Sequence, residues 1–304
     1  MNLLEKTLFT KLEQNGCKGT TVPIRYLYNL QQEMVELNQS KILNNDLIYK
    51  YLNGFQYEYS TVLTNAQSII VVAVPQPITI LRFTWREKKQ QIAVPPTYIY
   101  TESEKLVSHI VESELKRKNF SMVRAKIPLK LLSVRSGLSQ YGRNNISYIN
   151  GMGSFYRLIA LATDMPSNSN TWQDIQRMPD CQNCRACLNS CPTNCIDTNR
   201  NIIHATKCLT YINESSEPFP DWINNNWHNA LVGCMRCQLA CPQNRDYKLI
   251  RNFEETLTES DIDVLLNEDD FTKFPKATRN TLEKSNLTDY EPTILQRNLR
   301  ALLL

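Results

Sequence analysis

The longest uninterrupted apolar run in the chain covers residues 69–74, only six positions, led by Ser68 and closed by Pro75. Its length predicts a strand buried on both faces and is far too short for a membrane span. Residues 155–163 predict a second buried strand. Apolar positions over 78–85 and 91–94, on either side of Arg86-Glu87-Lys88-Lys89, predict a hairpin. Residues 1–60 read as helical and amphipathic, with Leu3, Leu4, Leu8 and Leu12 near helical spacing. Residues 102–118 predict a helix with Leu106, Ile110 and Val111 on one face and Glu102 and Glu104 in its first turn. Pro128 is placed to open a helix over 129–136 that Gly137 ends as a left-handed cap.

The polar stretch 166–171 marks a boundary, and residues 246–304 are charged, helix-prone and free of glycine. The expected organisation is therefore an α/β domain over 1–168, a cysteine-rich domain over 169–250 and a helical segment over 251–304. Glycine is scarce, with eight in all, yet four of them (Gly137, Gly142, Gly151 and Gly153) crowd into one short stretch. Such a segment makes close backbone turns beside a ligand or beside a neighbouring strand. It carries neither a G-x-G-x-x-G fingerprint nor a Walker lysine.

Charge changes this picture little. The 34 basic and 30 acidic side chains leave a formal charge of +4, too mild to argue for nucleic acid or an anionic membrane. Residues 1–13 carry Glu5, Lys6, Lys11 and Glu13 and lack the apolar core of a signal peptide, so the chain is expected in the cytoplasm.

Cysteine changes it a great deal. Of ten cysteines, Cys17 alone precedes Cys181, and the other nine fall between positions 181 and 241. Clustered cysteines without a secretory signal point to metal, not to disulfides. Residues 181–192 read Cys181-x2-Cys184-x2-Cys187-x3-Cys191-Pro192, the bacterial ferredoxin run whose fourth cysteine serves the other cluster. A shorter run, Cys234-x2-Cys237-x3-Cys241-Pro242, has Leu231 where its first cysteine would stand, and Cys208 is the substitute. Crossover then assigns Cys181, Cys184, Cys187 and Cys241 to a first [4Fe–4S] cluster, and Cys191, Cys208, Cys234 and Cys237 to a second. Zinc also uses C-x2-C pairs, but it does not require the x2, x2, x3, proline pattern. Cys17 and Cys195 are left over and read as small buried hydrophobes.

With these motifs in place, the chain resembles the epoxyqueuosine reductases and, more remotely, the corrinoid-dependent reductive dehalogenases. The resemblance rests on the split cysteine arrangement with Cys208-Leu-Thr-Tyr211 and on residues 233–244, Gly-Cys-Met-Arg-Cys-Gln-Leu-Ala-Cys-Pro-Gln-Asn. Upstream, Ser136-Gly-Leu-Ser-Gln-Tyr-Gly-Arg-Asn144 is similar to the family's A-G-L-G-W-x-G-K-N segment, and Gly153-Ser154-Phe155 to the G-S element after it. Arg297-Asn298 is similar to an R-N pair near the end of the family's core.

The resemblance implies an α+β protein: a nitroreductase-like α/β cofactor domain, a ferredoxin-like two-cluster domain and a short helical C-terminal segment. It also implies a base-off cobalamin fed by the clusters and lined by Ser139, Tyr141, Gly142, Arg143, Asn144, Gly153, Ser154 and Phe155. Tyr141 is the candidate proton donor, against the alternative of a core tyrosine. Arg143 meets an amide or phosphate of the cofactor, or caps a turn.

Three features depart from the family pattern. Its catalytic aspartate falls at Val123, which has no proton to donate. Its D-Y-H element is not recognisable around residues 98–100. The helical repeats that grip tRNA in many members are not expected, since the sequence stops at Leu304. His109, His204 and His228 are isolated, with no D-x-H-x-x-G pattern for a lower cobalt ligand; His109 reads as structural, and His228 is a candidate for lining the site.

Three functions remain open on these residues: a cobalamin-dependent reductase of a small-molecule or nucleoside-like substrate, an electron-transfer module without corrinoid, and a corrinoid-reducing or handling protein. Each implies an external donor of the ferredoxin or flavodoxin type, and none implies a membrane or, without the repeats, tRNA.

Overall fold

Residues 69–74 form the middle of a strand whose side chains are withdrawn from solvent on both faces. The computed structural model describes residues 3–167, 170, 172–199, 202–248, 250–252 and 257–303. In chain order its main elements begin with α1 (Leu3–Gln14), β1 (Lys18–Pro23), α2 (Tyr26–Gln39), β2 (Ser68–Pro75), β3 (Ile78–Trp85) and β4 (Lys88–Val94). There follow α3 (Thr101–Lys116), β5 (Met122–Arg124), α4 (Leu129–Arg135), β6 (Gln140–Tyr141), β7 (Ser147–Tyr148) and β8 (Tyr156–Thr163). The cysteine region holds the short helices α5 (Ala186–Ser190), α6 (Leu209–Asn213) and α7 (Arg236–Leu239). Strand β9 (Ile250–Asn252) and helices α8 (Glu259–Asn267), α9 (Lys276–Lys284) and α10 (Pro292–Leu303) complete the set.

The chain divides into two compact units, one of residues 1–75 and 102–184 and the other of residues 76–101 and 185–304. Their borders differ from the sequence boundaries at 168 and 250. Of the stretch read as the boundary, Asn168, Ser169 and Thr171 lie outside the described residues.

The first unit is built on an antiparallel sheet of order β1-β2-β8-β5. Successive side chains of a strand point to opposite faces. Ile69, Val71 and Ala73 therefore enter one core with Leu158, Ala160 and Ala162 of β8, against Leu27 and Leu30 of α2 and Leu132 of α4. Ile70, Val72 and Val74 enter the other with Ile159 and Leu161, against Leu8 and Leu12 of α1 and Val107, Val111 and Leu115 of α3. Helices on both faces are what make the central strands continuously apolar.

Two expectations need correction here. Residues 1–60 are not wholly helical, because Lys18–Pro23 forms β1 along the edge of β2. The polar sequence Lys-Gly-Thr-Thr lacks strand periodicity, and pairing with β2 decides its conformation. On α3 the buried face runs through Ser103, Val107, Ile110, Val111, Glu114 and Leu115, whereas Leu106 is 37% exposed. The Leu106 register fails because one helical step of about 100° carries its neighbour Val107 to the sheet instead.

The second unit holds the expected hairpin, β3 with β4, extended by β9 parallel to β3. Strand β4 begins at Lys88, ahead of the Gln91 start that the apolar pattern implies. The two-residue turn is Arg86-Glu87, with φ of +47° and +64°. This is the twist a tight hairpin needs, reached without the usual glycine or asparagine. Arg86 N–H donates to Glu259 Oε1 of α8 at 2.9 Å, which holds the turn in place. The core of this unit joins Leu81, Phe83, Ile92 and Val94 to Leu231 and Val232 and to apolar side chains of α8, α9 and α10. Among the described residues no helix is long and apolar enough to cross a membrane.

Candidate functional site

The two cysteine runs fold alike. Arg185, after Cys184, and Met235, after Cys234, take nearly the same backbone conformation (φ −122°, ψ 11° and φ −118°, ψ −2°) and lead into α5 and α7. Asn189 N–H donates to Arg185 O at 3.0 Å, and Leu239 N–H to Met235 O at 2.8 Å. At the ends of the runs Cys191 N–H donates to Leu188 O and Cys241 N–H to Gln238 O, both at 3.3 Å. Prolines 192 and 242 then start matching turns, in which Asn194 and Asn244 donate to the Cys191 and Cys241 carbonyls at 3.3 and 3.0 Å. Equal spacing has produced equal local structure twice.

Around the second set of sulfurs both side chains and backbone N–H groups act as donors. Thr193 and Cys195 direct their backbone N–H groups at Cys191, Thr210 at Cys208, and Arg236 at Cys234. Asn229 adds its side-chain amide, with Nδ2 3.3 Å from Cys234 Sγ, while its Oδ1 accepts from Met235 N–H at 2.9 Å. A hydrogen bond from the Cys195 thiol, helped by the Thr193 hydroxyl, pulls the Cys191 thiol down to about 5 against the effect of burial. Burial raises Cys234.

An all-thiol donor set ringed by N–H groups fits an iron–sulfur cluster, whose sulfur ligands carry negative charge. Among the described residues no three His, Cys, Asp or Glu side chains converge on a position for a single metal ion. A cubane takes one thiolate at each of four separate irons, so its ligands need not converge on one point. Cys17 lies in the apolar core 1% exposed, its thiol pushed up to about 11 by burial. Cys195 is buried too, but beside other sulfurs.

The loops carrying these cysteines are fastened by residues from distant parts of the second unit. Gly233, just before Cys234, has φ +69°, and a Cβ there would lie 2.4 Å from the Tyr98 hydroxyl oxygen. That hydroxyl donates to the Glu214 carboxylate, and Asn213 Nδ2 donates to Gly233 O at 2.8 Å. Asn298, fully buried, donates to the carbonyls of Asn213 and Leu231, both at 2.8 Å. Arg297 donates to Ile212 O at 2.9 Å and to Glu217 O, with its guanidinium 4.1 Å from the Phe219 ring centroid. The Arg297-Asn298 pair thus acts as a clamp on the turns flanking Cys208 and Cys234. Asn213 and Asn229 carried no sequence signal, because neither stands at a spacing from the cysteines that marks a ligand or its support.

The candidate cofactor segment lies wholly in the first unit. Ser139 is buried with its hydroxyl 2.7 Å from Ser133 Oγ. Gln140 and Tyr141 pair with Tyr148 and Ser147 across β6 and β7. Gly142 leaves no room for a side chain, since a Cβ would sit 2.6 Å from Tyr148 Cε2. Asn144 is buried and donates to the Tyr148 hydroxyl at 2.9 Å. Gly153 turns back with φ +58° and exchanges both backbone hydrogen bonds with Ile149, at 2.9 and 3.0 Å. Ser154 and Phe155 are buried. The side chains of Ser139, Asn144, Ser154 and Phe155 therefore belong to the frame of the segment.

Tyr141 and Arg143 are half-buried. Tyr141 N–H donates to Gln176 O at 2.9 Å and Tyr141 O accepts from Met178 N–H at 3.0 Å, which ties β6 to the stretch leading into Cys181. Burial, with the Glu33 carboxylate adding and the Arg135 guanidinium opposing, pushes the Tyr141 phenol up to about 12. Arg143 Nη2 donates to the Cys181 carbonyl and, at 3.1 Å, to the Gln182 carbonyl. Its Nε is buried with no hydrogen-bond partner among the described residues. It lines an open cavity of about 380 Å³ with Arg177, Met178, Pro179, Cys181 and Gln182. Val123 packs against the core from β5. His228 is buried beside Phe219, ring centroids 4.6 Å apart, with neither ring nitrogen hydrogen-bonded among the described residues.

This scaffold and cysteine frame define an iron–sulfur protein of the double-cluster class. The model for a 4Fe-4S double cluster binding domain matches residues 180–244. The chain is similar to the epoxyqueuosine reductase of Aliivibrio fischeri, 29% identical over 169 residues, which cover 53% of this chain and 44% of the relative. It is similar to that of Cyclobacterium marinum, 33% identical over 114 residues, covering 37% and 36%. The matched part thus spans less than half the length of these curated relatives. Among solved structures it shares the fold of the Streptococcus thermophilus epoxyqueuosine reductase, with a TM-score of 0.67, 20% identity, and coverage of 100% of this chain and 81% of that one. It also shares the fold of an epoxyqueuosine reductase solved with a modified tRNA-Tyr stem loop, with a TM-score of 0.69, 17% identity, and coverage of 99% and 80%. Over the matched part, the chain is similar to the epoxyqueuosine reductases.

Proposed function

We propose that the chain is a cobalamin-dependent reductase in which two [4Fe–4S] clusters deliver electrons to a cofactor beside the 136–155 segment. The first cluster is held by Cys181, Cys184, Cys187 and Cys241, the second by Cys191, Cys208, Cys234 and Cys237. The observation that carries this reading is the attachment of the candidate cofactor segment to the first cluster's cysteine. Arg143 binds the Cys181 carbonyl, and β6 is laddered to residues 176–178 just upstream. Electrons leaving that cluster have a short covalent and hydrogen-bonded route to this segment.

Cobalamin, when bound, supplies a reducible cobalt that removes an oxygen or another leaving group. The residues present fit such a group at one point. Arg143 Nε is a buried donor without an acceptor among the described residues, and an amide oxygen or phosphate of a cofactor would satisfy it. Tyr141, its phenol held protonated by burial, is the candidate proton donor. The substrate is a small molecule or a nucleoside-like group carrying an epoxide, halide or similar leaving group. The donor is a ferredoxin or flavodoxin type of protein.

A second reading has one observation in its favour. Val123 stands where the family's acid falls and packs against the core, so β5 offers no proton. A protein that only reduces a corrinoid for use elsewhere needs none.

Titration of the anaerobically reconstituted protein with cob(II)alamin, followed by EPR, tests the proposal. A base-off cobalt signal saturating at one equivalent is expected. An unchanged cobalt spectrum would overturn cobalamin use and leave an electron-transfer protein. Binding without turnover of any epoxide, halide or modified nucleoside would favour the corrinoid-reducing reading.

A further inference from the structure

Cys195 is the thiol within the cysteine frame that the ligand sets leave over. It follows Cys191 closely in the chain, and Asn194, with φ +51°, bends the backbone between them. Both ends of the bend are fixed: Asn194 N–H donates to Cys191 O at 3.3 Å, and His204 N–H to Cys195 O at 2.8 Å. Cys195 is 3% exposed, and its Sγ lies 3.4 Å from Cys191 Sγ. It belongs to a small buried cluster with Cys187 and Ile196. Cys208 packs against the same small cluster of buried side chains. What the thiol adds is a third sulfur between two ligands of the second cluster.

Resting on the ligand set given above for that cluster, we propose that Cys195 is a reserve ligand, taking the iron corner of Cys191 when that bond opens. The exchange is redox-neutral. The iron–sulfur bond to Cys191 breaks, the bond to Cys195 forms, and the Cys195 proton passes to the released Cys191 sulfur. Since the two sulfurs are in contact within one fixed bend, the exchange requires side-chain rotation and no unfolding of the loop. Opening of a single iron–thiolate bond, a first step toward cluster loss, is thereby reversed in place.

Iron and sulfide content with EPR of the dithionite-reduced protein tests this, across wild type, Cys191→Ala, Cys195→Ala and the double variant. Cys191→Ala is expected to keep the iron of both clusters with an altered second-cluster spectrum. The double variant is expected to lose the second cluster and keep the first, whose signal reports that the chain has folded. Loss of the second cluster in Cys191→Ala alone would overturn the reserve role while upholding Cys191 as a ligand. A double variant with full iron and a wild-type spectrum would overturn the ligand assignment itself. Should Cys191→Ala not fold, Cys195→Ala decides by the rate at which a chelator strips the second cluster. A several-fold faster rate supports the proposal, and an unchanged rate overturns it.

Discussion

The side-chain amide of Asn229 donates to Cys234 Sγ at 3.3 Å and holds Met235 N–H with its oxygen at 2.9 Å. A donor aimed at a cluster thiolate favours the more negative, reduced state. Asn229→Ala is therefore expected to make the second cluster harder to reduce. With about 1 kcal/mol for such a bond, the shift is roughly 40 mV downward for a one-electron couple. A redox titration followed by EPR checks this, with the first cluster's potential unchanged as the internal control.

Gly233 combines a left-handed backbone with direct approach to the Tyr98 ring. Gly233→Ala has to meet both constraints. A loss of about 2 kcal/mol or more in stability is expected, together with reduced iron in the second cluster. Chemical denaturation and iron analysis measure these two effects separately. Tyr98→Leu in the same background removes the hydroxyl clash and should restore part of the stability.

Tyr141 is held protonated far above neutral pH, at about 12. Tyr141→Phe keeps the ring and removes the proton. Reductive turnover is expected to fall by about 10²-fold or more, the usual size of a general-acid contribution, with cobalamin binding unchanged. Single-turnover rates beside the EPR titration check it. Unchanged turnover would place the proton donor elsewhere.

His228 is depressed to about 4, first by burial and then by the Arg297 and Arg236 charges. A free imidazole titrates near 6.5, so between pH 6.5 and 4 the unfolded chain binds the proton and the folded chain does not. The stability is fully present above about 6.5 and is lost as the pH falls toward 4. His228→Phe, which keeps a ring against Phe219, should remove this slope, a difference of about 2 kcal/mol at pH 5. Thermal unfolding at pH 7 and pH 5, followed by tryptophan fluorescence, compares the two proteins. Equal slopes would mean that His228 finds a proton acceptor in the fold.

Much of the molecule was legible before any fold. Both buried strands, the hairpin, the Gly137 cap and the helical end of the chain follow from periodicities that local structure obeys. What failed was a choice of face or of pairing. Leu106 and Val107 are adjacent, both apolar, and only the position of the sheet decides which of them is buried. Lys18–Pro23 is a strand because β2 has an open edge beside it.

The cysteine spacing by itself determined the iron–sulfur character, since ligands so closely spaced are set by one short turn and helix whatever surrounds them. The tertiary structure alone decided that Asn229 meets Cys234, that Asn298 spans the Asn213 and Leu231 carbonyls, and that Cys195 lies against Cys191 in a cluster that Cys208 packs upon. Those relationships join loops, and loops have no period of their own. Their positions come from burial of the cores on either side and from the need to pair every buried polar group.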